Sequence, residues 1–207
     1  MRLRRLLVLL PLAVLLVACG GDDGVEPSAT RDGAAAGSAL TSAPDSISIP
    51  SIDIDATLTR KQLVPGEPPP SPDGPYDVAI YEAGPELADL GGSPGEGGNV
   101  VLAGESVALQ GCVGAEPPCN AVFVSLRRIE PGAAVDLFWQ GETFNYQVVA
   151  RCFVATADFD EALYRRTAEE QLTLITGTGS WDNVRGWSHV LIIIAKPAPR
   201  TALESCP

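Results

Sequence analysis

The sequence predicts an all-β domain, most of it strands arranged as a barrel, with one or two short helices. Glycine and proline are frequent, at 21 and 18 of 207 residues, which favours a turn-rich β protein over a helix bundle. Residues 46–58 alternate apolar and polar side chains, the period of a strand with one buried face. Residues 189–195 form a continuous apolar run, the pattern of a buried strand.

Short apolar segments between turn residues mark the other strands. Pro50 interrupts the first strand and indicates an edge position or a bulge. The residues Gln140-Gly141-Glu142 indicate the turn of a hairpin. In chain order, strands are predicted at 46–58, 77–81, 99–103, 133–139, 143–156, 172–176 and 189–195. Loops are predicted chiefly at 64–76, 92–98, 106–120 and 177–187.

Two segments are predicted to form short helices. In each of them, residues 121–128 and residues 158–170, apolar side chains recur on one side. Asp158 or Asp160 would cap the second helix. The sum is a β-rich barrel in which the helices are minor elements.

The amino terminus has the order of a bacterial lipoprotein signal. Three arginines in the first five residues precede an apolar run, residues 6–18, that is too short to span a bilayer. The run ends in Leu-Val-Ala before Cys19. This end resembles the lipobox Leu-x-Ala-Cys, in which the cysteine thiol takes a diacylglycerol and the signal is cut just before it. The alternative is an ordinary signal peptide followed by an incidental cysteine.

The chain therefore divides into four predicted parts. They are a lipoprotein signal peptide at 1–18, a lipid-anchored flexible tether at 19–43, a folded domain at 44–199 and a tail at 200–207. The tether consists mainly of small and polar residues, which cannot bury enough apolar surface to offset the entropy of ordering. The predicted location is extracytoplasmic, on the outer face of the cell membrane, and the predicted contact with the membrane is the lipid.

The charge balance argues against nucleic acid as a partner. The formal net charge is −12, and removal of residues 1–18, which hold three arginines and no acids, takes it to −15. A surface this acidic repels nucleic acid. No basic stripe with interleaved aromatic residues is present in the sequence.

Four further cysteines, Cys112, Cys119, Cys152 and Cys206, suit two disulfides in an oxidising compartment. Three pairings are possible. A short-loop bridge between Cys112 and Cys119 is favoured, with Cys152 then joined to Cys206. The alternative is that Cys152 is a buried free thiol.

No metal or other cofactor is predicted. The chain has no Cys-x-x-Cys motif, and His189 is its only histidine, so a zinc site is not expected. Asp158, Asp160 and Glu161 cluster, but acids are expected in the first turn of a helix, and their spacing is not that of a calcium-binding loop.

Four stretches share a pattern with a known family: IPSIDIDATL at 49–58, GSPGEGGNVVLAGE at 92–105, VFVSLRRIEPGAAVDLFWQGETFNYQV at 122–148 and LTLITG at 172–177. In this order and spacing they resemble the sortases, the membrane-associated cysteine transpeptidases of Gram-positive bacteria. The pattern is closest to the class E and F groups and covers residues 46–196. The resemblance implies a closed eight-stranded β-barrel.

The chain departs from the family at the catalytic positions. Sortases use a histidine as general acid, a cysteine thiolate as nucleophile and an arginine that supports the oxyanion. The resemblance places the first two at Glu105 and Gly177, and the third just before the last strand, where the chain has Ser188, His189 and Val190. An acyl-enzyme needs a side chain that attacks a carbonyl carbon, and Gly177 has none. The resemblance therefore implies a sortase-like domain that lacks its catalytic set.

A relocated nucleophile is the alternative to lost catalysis. The candidate hydroxyls are those of Thr176, Thr178 and Ser180, with Glu105 as the base. Serine and threonine in glycine-rich turns more commonly bond the backbone, and this interpretation is favoured. Cys152 lies away from the nucleophile position in the sequence.

Three functions are consistent with these observations. The favoured one is a non-catalytic binding or scaffolding module at the cell envelope, whose groove takes a cell-wall peptide or a surface protein. The others are a sortase-type transpeptidase or hydrolase with a relocated nucleophile, and a structural lipoprotein without a small ligand. The residues predicted to border the groove are Glu105, Thr176, Thr178, Trp181, Arg185, Trp187 and His189.

Overall fold

Eight strands form a closed barrel in the computed structural model, which describes residues 44–107, 121–159 and 161–198. The strands are β1 (Ser46–Ile49), β2 (Ile54–Leu63), β3 (Val78–Ala83), β4 (Asn99–Gly104), β5 (Ala134–Trp139), β6 (Glu142–Ala155), β7 (Gln171–Asp182) and β8 (Gly186–Pro197). Around the barrel their order is β1-β2-β3-β4-β7-β8-β6-β5. The pairs β2–β3 and β4–β7 are parallel, and the other neighbours are antiparallel. The predicted all-β, eight-stranded barrel is confirmed.

Alternate side chains of the strands fill the barrel interior. Ile47 and Ile49 of β1, Leu102 of β4, Leu137 of β5 and Ile193 of β8 belong to this one core cluster and have no exposed surface. Burial of each such aliphatic side chain contributes about 1.5–3 kcal/mol to the free energy of unfolding. The alternation of apolar and polar residues in the sequence therefore corresponds to side chains that point into and out of the barrel.

The predicted first strand is in fact a tight hairpin. The chain turns back at a 3-10 helix, Pro50–Ile52, so that Ile49 of β1 pairs with Ile54 of β2. Pro50 lacks an N–H and starts this turn, and Asp53 closes it in the left-handed region with φ 55°. Both arms keep the alternating pattern, which is why the sequence alone indicated a single strand.

The predicted helix over 158–170 is wrong. Only 3-10 helices occur in the part of the chain that the structure describes, and here they span Thr156–Asp158 and Glu161–Tyr164. The Leu163 carbonyl accepts from the side chain of Asn99, and the Tyr164 carbonyl accepts from the N–H of Gly91. Carbonyls that bond to other segments cannot continue an α-helix. The predicted helix over 121–128 is likewise reduced to a 3-10 helix at Leu126–Arg128.

The hairpin of β5 and β6 is confirmed, with a turn of two residues. Gln140 and Gly141 have φ 51° and 90°, the left-handed values that such a turn requires. The N–H of Gln140 donates to Oδ1 of Asp45 at 2.7 Å. The first described residues of the chain therefore lie beside the start of β6.

Strand β6 runs the full height of the barrel. It begins after Gln140 and ends at Ala155, which pairs with His189 of β8. Directly after it, Thr156 Oγ1 donates to the carbonyl of Trp187 at 2.6 Å. The two ends of β6 therefore mark opposite ends of the barrel.

The predicted loop at 177–187 is mostly strand. Strand β7 continues to Asp182 and β8 begins at Gly186, so that only three residues, 183–185, join them. Oδ1 of Asp182 accepts the N–H groups of Val184 and Arg185, each at 2.8 Å, and these bonds hold the pKa of Asp182 below its usual range. Glycine, aspartate and asparagine disfavour a strand prediction here, but Trp181 pairs with Trp187 across the hairpin. No helix in the described ranges is long and apolar enough to cross a membrane.

Candidate functional site

The candidate site lies where the parallel pairing of β4 with β7 ends. The last pair in their register is Ala103 with Ile175, two residues before Glu105 and Gly177. Thr176 Oγ1 donates to the Gly104 carbonyl at 2.7 Å, and Ser106 Oγ donates to the Gly177 carbonyl at 2.5 Å. The hydroxyls of Thr176 and Ser106 therefore connect the end of β4 with the middle of β7.

The space for a side chain at position 177 is occupied by Trp187. A Cβ atom added to Gly177 would overlap the indole ring and would lie 2.5 Å from its Nε1. The indole is held in turn by Trp181, whose ring packs edge-on at a centroid distance of 5.3 Å and an interplanar angle of 69°. The packing of Trp187 therefore requires glycine at position 177, and glycine has no side chain that could act as a nucleophile.

The residues at the expected arginine position lie inside β8 and not before it, which corrects the predicted boundary. Val190 pairs with Gly177, and His189 pairs with Thr178. Ser188 Oγ lies 2.9 Å from Nδ1 of His189 and accepts the N–H of Ser180 at 3.0 Å. None of the three carries a guanidinium group, so this part of the site does not reproduce the family's oxyanion support.

Two cavities flank Trp187, which lines both. The first has a volume of about 170 Å³, and the second about 500 Å³. Of the predicted groove residues, Thr176 and Thr178 line the first cavity and Arg185 lines the second. Glu105, Trp181 and His189 line neither cavity.

Arg127 is a wall residue of the first cavity that the sequence did not predict. It comes from the 3-10 helix before β5, together with Phe123 and Val124 from the same segment. The N–H of Phe123 donates to the carbonyl of Glu105 at 2.9 Å, which attaches this segment to the end of β4. No local signal in the sequence indicates that contact, because it joins residues far apart in the chain.

Glu105 is a partly buried carboxyl group outside both cavities. Burial raises its pKa above the usual value of 4.5. A carboxyl group is neutral or negative, so it does not replace the positive charge with which an imidazolium stabilises a thiolate. Glu105 therefore supplies no positive charge at this position.

Cys152 lies on β6, is only 2% exposed and packs with Ile192 and Ile194. It pairs with Ile192 of β8, which in turn pairs with Ile175 of β7, so β8 separates Cys152 from the strand that carries Gly177. A thiol there does not reach the position of the missing nucleophile. The other cysteines, Cys19, Cys112, Cys119 and Cys206, and also Asp160, lie outside the described residues, so the lipid attachment and the disulfide pairing stay predictions.

Comparison with known proteins agrees with this fold. The family model described as "Sortase domain" matches residues 47–198. Sortase A from Corynebacterium diphtheriae is 23% identical, with a TM-score of 0.54 over 76% of this chain and 61% of that chain. A Clostridium perfringens sortase D5 transpeptidase is 16% identical, with a TM-score of 0.51 over 75% of this chain and 79% of that one. At these identities the likeness of the solved structures concerns the fold alone, and no protein of curated function matches the sequence.

Proposed function

Because the chain belongs to the sortase family, we propose that it is a lipid-anchored envelope protein whose barrel binds a ligand without the family's thiol chemistry. The expected ligand is a cell-wall peptide or a surface protein. The proposed place of binding is the groove formed by the two cavities beside Trp187.

The packing of Trp187 on Gly177 carries this proposal. Acyl transfer by a sortase proceeds through a side chain that attacks the carbonyl carbon, and loss of a nucleophile alone costs many orders of magnitude in rate. Gly177 has no such side chain, and the indole of Trp187 fills the place where one would stand. The predicted disulfide of Cys152 would remove a further possible thiolate from the domain.

The composition of the groove supports ligand binding. Phe123, Val124 and Leu191 supply apolar walls to the first cavity, and Thr178 supplies a hydroxyl. Pockets of this kind, mainly apolar with a few polar groups, are typical of ligand sites. The indole of Trp187 would contact a ligand in either cavity.

The second candidate, a relocated nucleophile, rests on one contact. Ser188 Oγ lies 2.9 Å from Nδ1 of His189, the distance of a hydroxyl from a general base, and Ser188 lines the second cavity. His189 is exposed and lines neither cavity, and within the described residues its ring hydrogen-bonds only to Ser188. This contact makes Ser188 the hydroxyl that an activity test should examine.

We expect the full chain to bind a sorting-type peptide, that is, a peptide with a sorting signal of the kind that sortases recognise. Binding should be reversible and should leave the peptide intact. The measurements are intact-protein mass spectrometry for a covalent adduct and tryptophan fluorescence for binding. Trp187→Ala should abolish peptide binding measured by calorimetry, because it removes the side chain shared by both cavities; fluorescence cannot report on this variant, which lacks the indole at the site.

Phe153→Ala is the matched control, because Phe153 is an aromatic residue, 56% exposed, that lines neither cavity. It should bind as the unmodified chain does. An adduct at Ser188 would favour the enzyme hypothesis, and a chain that binds no peptide or partner would remove the binding hypothesis.

We expect Cys19→Ser to abolish lipid attachment, because only the cysteine of the proposed lipobox supplies the thiol that is acylated. The measurement is incorporation of a clickable fatty acid by cells that express the full chain. Ser28→Ala, a change within the proposed tether, should retain the label. Equal labelling of the Cys19→Ser variant would contradict the proposed anchor.

A further inference from the structure

Two arginines at the groove have no carboxylate partner within the described part of the chain. The ion pairs there engage Arg60, Lys61 and Arg151, and none involves Arg127 or Arg185. The chain carries 26 acidic and 14 basic residues, so a basic side chain has many possible partners. Of the other described arginines, only Arg165 also has a guanidinium group without a hydrogen bond or ion pair to another described residue. Arg165 lines neither cavity.

Each of the two unpaired guanidinium groups belongs to a different cavity. Arg127 lines the first cavity, Arg185 lines the second, and Trp187 lines both. A guanidinium group binds a carboxylate through two parallel hydrogen bonds, which makes it suited to an acidic ligand. The arrangement therefore offers two positive groups to a single extended ligand.

Among the described residues, one acidic group lies at the two cavities. None of the described residues that line the first cavity is an aspartate or a glutamate. Asp182 lines the second cavity, but its Oδ1 accepts the N–H groups of Val184 and Arg185 and so stabilises the turn. These two hydrogen bonds occupy one carboxylate oxygen of Asp182 and orient its carboxylate towards the backbone of the turn.

We propose that the groove binds a peptide with two acidic groups, one carboxylate at Arg127 and the other at Arg185, with the peptide backbone passing over Trp187. This inference rests on the proposed function and names the class of its ligand. A peptide suits the site better than other anions, because Phe123 and Val124 give the first cavity apolar walls. The net charge of −12 opposes the long-range attraction of any anion, most strongly that of a highly charged nucleic acid, so the proposed contacts with the peptide are local to the two arginines.

The test uses the full chain and two synthetic probes, acetylated and amidated hexapeptides with two glutamates or two glutamines separated by two alanines. Binding is followed by tryptophan fluorescence and calorimetry. The glutamate probe should bind at least about tenfold more tightly, the difference of one charge-assisted contact, and its affinity should fall as salt is raised. Arg127→Gln and Arg185→Gln should each weaken it by about tenfold.

Arg128→Gln is the matched control. It removes the same charge from the neighbouring residue, whose Nη2 donates to Ser125 Oγ at 2.7 Å and which lines neither cavity. It should bind the glutamate probe as the unmodified chain does. Thermal melting of each variant verifies that it is folded.

Three results would overturn the inference. If the glutamine probe binds equally well and its binding still requires Trp187, the groove binds peptides without acidic selectivity, and the proposed function survives. If Arg128→Gln weakens binding as much as Arg127→Gln, the effect is one of overall charge and not of this site. Failure of both probes also overturns it, while the sorting-type peptide still tests the proposed function separately.

Discussion

Gly177→Ala is expected to lower the free energy of unfolding by about 1–3 kcal/mol, the usual cost of adding a methyl group where there is no room for it. The reason is the overlap of the new Cβ with the indole of Trp187. The backbone at Gly177 does not require glycine, because its φ lies outside the left-handed region. The effect should therefore come from packing alone.

A double-mutant cycle measures this coupling. Gly177→Ala should cost much less in a Trp187→Ala background, because the obstructing ring is then absent. Gly84→Ala is the matched control: its Cβ would meet nothing within 4 Å, and the change should stay within about 0.5 kcal/mol. Urea denaturation supplies the free energies, and equal costs in both backgrounds would refute the proposed overlap.

Asn99→Ala is expected to lower the free energy of unfolding by about 3 kcal/mol, since each buried polar group left without a partner costs about 1–3 kcal/mol. Asn99 is 2% exposed. Its Nδ2 donates to the Leu163 carbonyl at 2.6 Å, and its Oδ1 accepts from Thr173 Oγ1 at 2.7 Å. One side chain thus connects β4, β7 and the 3-10 helix that ends at Tyr164.

The control is Asn145→Ala on β6. Asn145 is exposed and its Nδ2 donates to Asp136 Oδ1 at 2.7 Å, so a side-chain amide bond is lost in a solvated setting. A change within about 0.5 kcal/mol is expected, as at most surface positions. Similar costs for both asparagines would show that the bonds of Asn99 contribute little more than exposed ones.

Strands were predictable where burial alternates along the chain. The apolar side chains of β1 and β5 point into one core, so the pattern in the sequence reports the local structure directly. The apolar residues Phe159 and Tyr164 misled the helix prediction. They pack edge-on against each other, and Tyr164 also packs on Tyr81, so their spacing reflects a contact with β3 and not one face of a helix.

The candidate site was predictable only in part. The motif around Gly177 assigned the family's nucleophile position to this glycine, and that assignment stays a prediction. The position of the Trp187 indole over Gly177 was not predictable, because it depends on a register shift between Thr178 and Trp181 that moves the strands relative to each other. Arg127 was missed for a related reason, since only tertiary contacts bring its segment to the end of β4.

The path of β6 separates the groove from the first described residues of the chain. These residues lie beside Gln140, at one end of β6, and the groove lies beyond Ala155, at the other. Fourteen residues of strand extend over roughly 45 Å, and the tilt usual in a barrel leaves roughly 35 Å along its axis. A peptide bound in the proposed groove would therefore lie at the end of the barrel opposite to the point where the described chain begins.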